Sequence, residues 1–143
     1  MALNLGKLVL LVGTLVFTAA CGDSSGPGQG SIRGAYTLVS FNGSAVPASY
    51  VQEGVTIRVN SGSLTLNSGN TFSTVSDLTV LIPGQPPLQN AGRCSGTFTQ
   101  NGMSVLFRTT ATSDCEASSD TGSWDGADTI TLVVETLQFV FRK

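Results

Sequence analysis

Apolar and polar residues alternate in short runs along most of the chain after residue 31, and turn residues separate the runs. A period of two is typical of strands that bury one face. The run Gly34–Phe41 is rich in β-formers and stops at Asn42-Gly43, a strong turn pair. In residues 55–59, Val55, Ile57 and Val59 are predicted to point inward. The pattern predicts strands and almost no helix.

Turn signals divide the remaining runs. Ser61-Gly62 and Ser68-Gly69-Asn70 are predicted turns, and Ser76-Asp77 marks a bulge within a longer strand. Prolines make residues 82–91 a loop or a strand break, and residues 46–54 are a connection with room for a short helical turn. Strands are predicted over residues 34–41, 55–59, 64–66, 71–81, 94–99, 103–108, 122–124, 130–134 and 137–141.

A weak internal repeat gives the fold class. Gly96-Thr97-Phe98 precedes an Asn-Gly turn and an apolar strand, and Gly122-Ser123-Trp124 precedes an Asp-Gly turn and an apolar strand. This repetition is typical of a β-meander. We therefore predict an all-β protein, an antiparallel up-and-down meander of eight or nine strands. Closure into a small barrel would remove the exposed edges, and a two-sheet β-sandwich is the alternative.

The first 20 residues have the zones of a secretory signal peptide. Lys7 precedes an apolar run over residues 8–17, which is short for a membrane-spanning helix, and small residues follow. Ala-Ala-Cys21 after such a run resembles the bacterial lipobox, although Thr18 stands where leucine is usual. The resemblance implies that Cys21 becomes the first mature residue and carries palmitate-type acyl chains. Plain secretion is the alternative.

These signals divide the chain into three parts. Residues 1–20 are a predicted lipoprotein signal peptide, residues 21–31 a lipidated flexible tether, and residues 32–143 one β-barrel domain. The predicted location is the bacterial cell envelope, on a membrane facing the periplasm or the cell exterior. Gly22 rather than aspartate follows the cysteine, which favours the outer membrane.

Cysteine usage fits this location. With Cys21 lipidated, Cys94 and Cys115 remain as a pair in an oxidising compartment and are predicted to form a disulfide. Since the hairpin about Asn101 brings Cys94 near Arg108 or Thr109, the bridge should pin the loop of residues 111–119 onto the strand end.

Composition excludes several classes of function. Removal of the leader leaves 6 basic against 9 acidic residues, a net charge of about −3, so we expect no nucleic-acid binding. The chain has no histidine, which argues against the common catalytic triads, against zinc and against an enzyme. We expect no cofactor. A calcium site is conceivable in one acidic stretch, but its residues are better explained as a turn and solvated loops: Asp114, Glu116, Asp120, Asp125 and Asp128.

The Gly34-x-Tyr36-x-Leu38 opening strand, the Gly96-Thr97-Phe98 hairpin and the closing Leu137-x-Phe139-x-Phe141 strand resemble the lipocalin-like (calycin-type) domains of small bacterial lipoproteins. True lipocalins usually carry tryptophan where Tyr36 stands and a late cationic side chain that packs on it, for which Arg142 is the candidate. The resemblance implies a barrel whose mouth binds a small apolar ligand, and no catalytic residue.

Four aromatic residues could line such a cavity or simply fill the barrel, and filling is the commoner role: Tyr36, Phe98, Phe107 and Trp124. The alternative function is a structural or inhibitor-like interaction lipoprotein, acting through residues 82–91 and the loop pinned by Cys115. We expect a monomer held at a membrane by its lipid.

Overall fold

The computed structural model describes residues 30–143, and every regular element in that part is a β-strand. The predicted signal peptide, Cys21 and nearly all of the tether lie outside the described residues. Over residues 30–143 the structure has no helix that is long and apolar enough to cross a membrane. The strands are β1 (Gly34–Phe41), β2 (Ser44–Ala45), β3 (Ala48–Gln52), β4 (Val55–Leu66), β5 (Thr71–Leu81), β6 (Leu88–Asn101), β7 (Ser104–Thr109), β8 (Ser118–Trp124), β9 (Thr129–Val134) and β10 (Leu137–Arg142).

The strands form one antiparallel meander that closes on itself. From β4 to β10 each strand pairs with the next in sequence, and β10 pairs with β1. The first half of β1 also pairs with the end of β4, from Gly34 opposite Leu66 to Thr37 opposite Ser63. This closes an eight-stranded barrel of β1 and β4–β10, which confirms the predicted all-β barrel. The short strands β2 and β3 fill the space where β1 and β4 diverge.

Three local predictions were wrong, and the loop predicted over residues 82–91 is shorter than expected. β4 is one continuous strand with an irregularity between Val59 and Ser61, and does not turn at Ser61-Gly62. Gly62 instead allows close packing, because a β-carbon there would lie 3.2 Å from the Leu38 side chain. The bulge expected in β5 therefore lies in its partner β4. The connection over residues 46–54 contains β3 rather than a helical turn, and β6 begins at Leu88, directly after the prolines.

Inward-facing side chains fill one end of the barrel, which we call the closed end; it holds the beginning of β1 and the end of β10. The Tyr36 hydroxyl donates a hydrogen bond to the carbonyl oxygen of Ile32 over 2.5 Å, and both residues are buried. The segment before β1 folds across this end, where the Gly30 amide donates to the carbonyl of Gly126. The chain thus enters the barrel at its closed end.

The buried core is apolar and drawn from most of the strands. Along each strand the buried residues alternate with exposed polar ones, as in β8, where Gly122 and Trp124 are buried and Thr121 and Ser123 are exposed. The buried apolar residues are Ile32, Tyr36, Leu38, Phe41, Ala48, Val59, Leu64, Leu66, Phe72, Phe98, Val105, Phe107, Trp124, Ile130 and Phe141.

Candidate functional site

The other half of the barrel interior is a cavity of about 340 Å³. All eight barrel strands contribute to its wall, together with Tyr50 of β3 and the loop before β8. This is the volume that roughly 11 water molecules occupy in liquid water. It lies within the usual range of volumes for sites that bind small molecules. The mouth opens where β1, β7 and β9 end, opposite the closed end where the chain enters.

Two phenylalanines form the floor of this cavity. The rings of Phe72 and Phe107 meet edge to face, with centroids 5.2 Å apart. Glycines leave space for them. A β-carbon on Gly96 would collide with the carbonyl of Arg108 and lie 2.9 Å from the Phe72 ring, and one on Gly122 would lie 3.1 Å from the Phe107 ring. The two glycines are therefore needed for close packing beneath the cavity.

One side of the mouth is aromatic. The Phe41 ring lies 5.2 Å from the ring of Tyr50 and 5.1 Å from that of Phe139, measured between centroids. Ile57 and Leu78 also line the cavity, from β4 and β5. At the mouth, β3, β4 and β5 extend beyond the ends of the shorter strands such as β7. The apolar wall is therefore taller on this side of the mouth.

The other side of the mouth is acidic. Asp120 of β8 stands opposite Phe107 of β7, in the row of inward-facing positions that includes Gly122 and Trp124. The Ser118 hydroxyl donates a hydrogen bond to Oδ2 of Asp120 over 2.6 Å. Glu116 lines the same side, in the loop before β8. Among the described residues that line the cavity, these two carboxylates are the charged groups, and both are negative.

The predicted disulfide is confirmed, and it lies at the mouth. Cys94 of β6 is bonded to Cys115, with their Cα atoms 5.7 Å apart, and both residues line the cavity. Thr110 donates from its backbone amide to Ser95, and Thr112 donates to the carbonyl of Cys115. The bridge therefore holds the loop between β7 and β8 against β6, as the sequence indicated.

The structure separates the four aromatic residues that sequence reasoning considered for a cavity. Phe107 lines it, whereas Tyr36, Phe98 and Trp124 are buried outside its lining. Some lining residues that sequence reasoning missed, such as Leu38, lie at inward positions of predicted strands, whereas Tyr50 and Asp120 lie outside the predicted strands. Only the closed register shows which inward positions meet at the mouth.

The cation at the closed end is Lys143 and not Arg142. The Lys143 ammonium lies 5.1 Å from the centroid of the Tyr36 ring and donates a hydrogen bond to the carbonyl of Ser31. Arg142 is paired with Thr37 in the ladder, and both side chains are exposed. The strand alternation therefore places Arg142 on the outside.

The other acidic residues have local roles. Asp125 accepts hydrogen bonds from the backbone amides of Ala127 and Thr129, which hold the turn between β8 and β9 and lower the pKa of its carboxyl. Burial, with smaller contributions from Asp125 and Asp128, raises the pKa of Tyr36 to about 12. Within residues 30–143, no group of three or more Asp, Glu, Cys or His side chains is arranged to hold a metal ion.

No protein-family model matches this chain, and no curated protein matches it. The eight-stranded antiparallel barrel is compatible with a lipocalin-like fold.

Proposed function

We propose that the protein is a lipid-anchored, lipocalin-like lipoprotein of the bacterial cell envelope that binds a small apolar molecule in its barrel. The observation that carries the proposal is the cavity of about 340 Å³, with its phenylalanine floor and aromatic rim. Apolar side chains that line an open cavity are exposed to water, and a ligand that displaces this water would bury their surface. Binding here needs no chemistry beyond burial and shape, so we propose no catalytic activity.

The membrane part of the proposal depends on Cys21. Two acyl chains hold a protein stably on a bilayer, because each buried methylene contributes about 0.8 kcal/mol. Mass spectrometry of the protein isolated from membranes should find acylation at Cys21. The Cys21→Ser chain should leave the membrane fraction, and equal partitioning of both chains would exclude the anchor.

Ligand binding can be tested with N-phenylnaphthylamine, a neutral apolar dye whose fluorescence rises in apolar surroundings. The full chain should bind it saturably. Ser76 lines the cavity on β5, so Ser76→Phe should fill part of the space and weaken binding at least about tenfold. Ser73→Phe places the same ring on the outer face of the same strand, where the serine is exposed, and should leave binding unchanged. Absence of binding, or equal binding by both variants, would exclude this function.

A second candidate is an interaction lipoprotein, and one feature of the surface favours it. Residues 88–95 of β6 extend beyond the last residue of β7, and Leu88 is 53% exposed there. On the opposite face, Val51 of β3 and Leu81 of β5 flank Thr56 and are 70% and 37% exposed. A protein partner would cover these apolar groups. Cross-linking at position 88 in whole cells should capture one defined partner if this function holds, and none if it does not.

A further inference from the structure

Asp120 occupies a position that a purely apolar site would fill with an apolar residue. The inward row of β8 runs from Ser118 through Asp120 and Gly122 to Trp124. Asp120 is half-buried and its register partner is Phe107, whose ring forms the cavity floor. A carboxylate beside apolar surface loses hydration, and this costs free energy unless other groups replace the water.

The protein itself supplies Asp120 with one side-chain hydrogen bond. Ser118 donates one hydrogen bond to Oδ2, and within the described residues no hydrogen bond reaches Oδ1. An ionised carboxylate has about four acceptor sites. The cavity lining holds no lysine or arginine among the described residues, and its second charged group, Glu116, is also acidic. Asp120 therefore faces the cavity with free acceptor sites and a negative charge that no neighbouring lining group neutralises.

The rest of the wall determines what could occupy those sites. In the ring of eight strands β8 stands four places from β4, so the two strands face each other across the barrel. From β4 and its partner strands, Ile57, Val59 and Leu78 line the cavity opposite Asp120. A bound molecule would thus meet a carboxylate on one side and apolar side chains on the other side and beneath.

We infer that Asp120 makes the cavity selective for amphiphiles that carry a cationic amine on an apolar body. The amine would donate to Asp120, with Glu116 adding attraction at the rim, while the apolar body fills the space above Phe72 and Phe107. This inference rests on the proposed ligand binding and names the chemical class of the ligand. Anionic amphiphiles such as fatty acids would be disfavoured, because both lining carboxylates repel them.

The test compares three probes that share one apolar chain: decylamine, decanol and decanoate. Each is titrated calorimetrically into the full chain, below the concentration at which the probe forms micelles, with protein-free buffer as blank. A hydrogen bond to a charged group contributes enough to favour decylamine over decanol by about tenfold to a hundredfold. Decanoate should bind most weakly, and added salt should weaken decylamine binding more than decanol binding.

Two variants test whether the preference for decylamine depends on Asp120. Asp120→Asn keeps the size of the side chain and removes its charge, so most of the preference for decylamine over decanol should be lost, with only the attraction of Glu116 remaining, while decanol binding persists. Asp114→Asn removes one charge from the neighbouring loop, where the residue is exposed and outside the cavity lining, and should keep the preference. Thermal unfolding of each variant controls for folding.

The outcomes separate this inference from the function on which it rests. If the wild-type chain binds decanol and decylamine equally, or prefers decanoate, the role of Asp120 is overturned and apolar binding stands. If Asp120→Asn keeps the preference, the role of Asp120 is likewise overturned. If the wild type binds none of the three probes, the proposed function itself fails. Should Asp120→Asn not fold, the probe series and its salt dependence in the wild type still decide the inference.

Discussion

Replacing Tyr36 with phenylalanine would remove one hydroxyl from the closed end of the barrel and little else. Tyr36 is 1% exposed, and its hydroxyl donates to the carbonyl oxygen of Ile32 over 2.5 Å. Without the hydroxyl that carbonyl loses its donor. Loss of one partner of a buried hydrogen bond costs roughly 1–2 kcal/mol, because the remaining group stays desolvated. The ring, and with it the contact to Lys143, is retained in the variant.

The same hydroxyl makes stability depend on alkaline pH. Burial raises the pKa of Tyr36 from 10.0 to about 12 in the folded protein. A group whose pKa is raised on folding contributes stability that is complete below the unfolded pKa and is lost as pH rises through the folded one. From these two values the wild type should lose about 1 kcal/mol relative to Tyr36→Phe by about pH 11, and about 2 kcal/mol by about pH 12.

The wild type should therefore be the more stable protein near neutral pH, and its advantage should vanish between about pH 11 and 12. Urea unfolding followed by circular dichroism at several pH values measures the difference. The chain has one other tyrosine, Tyr50, which both proteins share, so its titration cancels. A stability difference that stays constant from about pH 8 to 12 would refute the reasoning, because the hydroxyl would then not be buried in the folded state.

Two further predictions concern packing and the crosslink. Gly96→Ala should lower the free energy of unfolding by about 3 kcal/mol or prevent folding, because its methyl would collide with the carbonyl of Arg108, whereas Gly69→Ala, with no atom within 4 Å, should change it little; a thermal shift equal for both would contradict the packing described. The double variant Cys94→Ser/Cys115→Ser, which opens a crosslink with a sequence separation of 21, should lose about 3 kcal/mol and amide-exchange protection at residue 112. Unchanged stability would show that the crosslink does not constrain the unfolded chain.

The barrel could be predicted because its signals are local. Alternating residues, Asn-Gly and Asp-Gly turns and a repeated Gly-x-aromatic start are sufficient to give a meander, and closure follows from the need to pair the edges. The disulfide was predictable from cysteine usage, because Cys94 and Cys115 remain as a pair when Cys21 is assigned to the lipid anchor. The hairpin about Asn101 was predicted to bring Cys94 near Arg108 or Thr109, whereas these two residues pair with Thr97 and Gly96. The errors were also local. Ser61-Gly62 resembles a turn, but its glycine is required by the Leu38 side chain from a distant strand.

The cavity was less predictable, because it depends on which inward residues meet across the barrel. Tyr36, Trp124 and Phe107 are all large aromatic residues at inward positions, but Tyr36 and Trp124 pack at the closed end and do not line the cavity. Asp120 appears in the sequence as one member of an acidic stretch. Its inward position follows from the alternation of β8, which begins at Ser118 rather than at Gly122 as predicted. Its place opposite Phe107 depends on the register between two strands.

The two ends of the barrel are suited to different tasks. The chain reaches the closed end at Gly30, whose amide donates a hydrogen bond to a carbonyl of the β8–β9 turn. Tyr36 and Lys143 donate hydrogen bonds to the segment that follows. A tether of about ten residues reaches at most roughly 35 Å, so an acylated Cys21 would hold this end within that distance of the bilayer. The mouth lies at the other end, with its acidic side and its disulfide-held loop. Because the tether would attach at the closed end, an anchored protein of this geometry would leave the mouth away from the attachment point and open to the aqueous compartment.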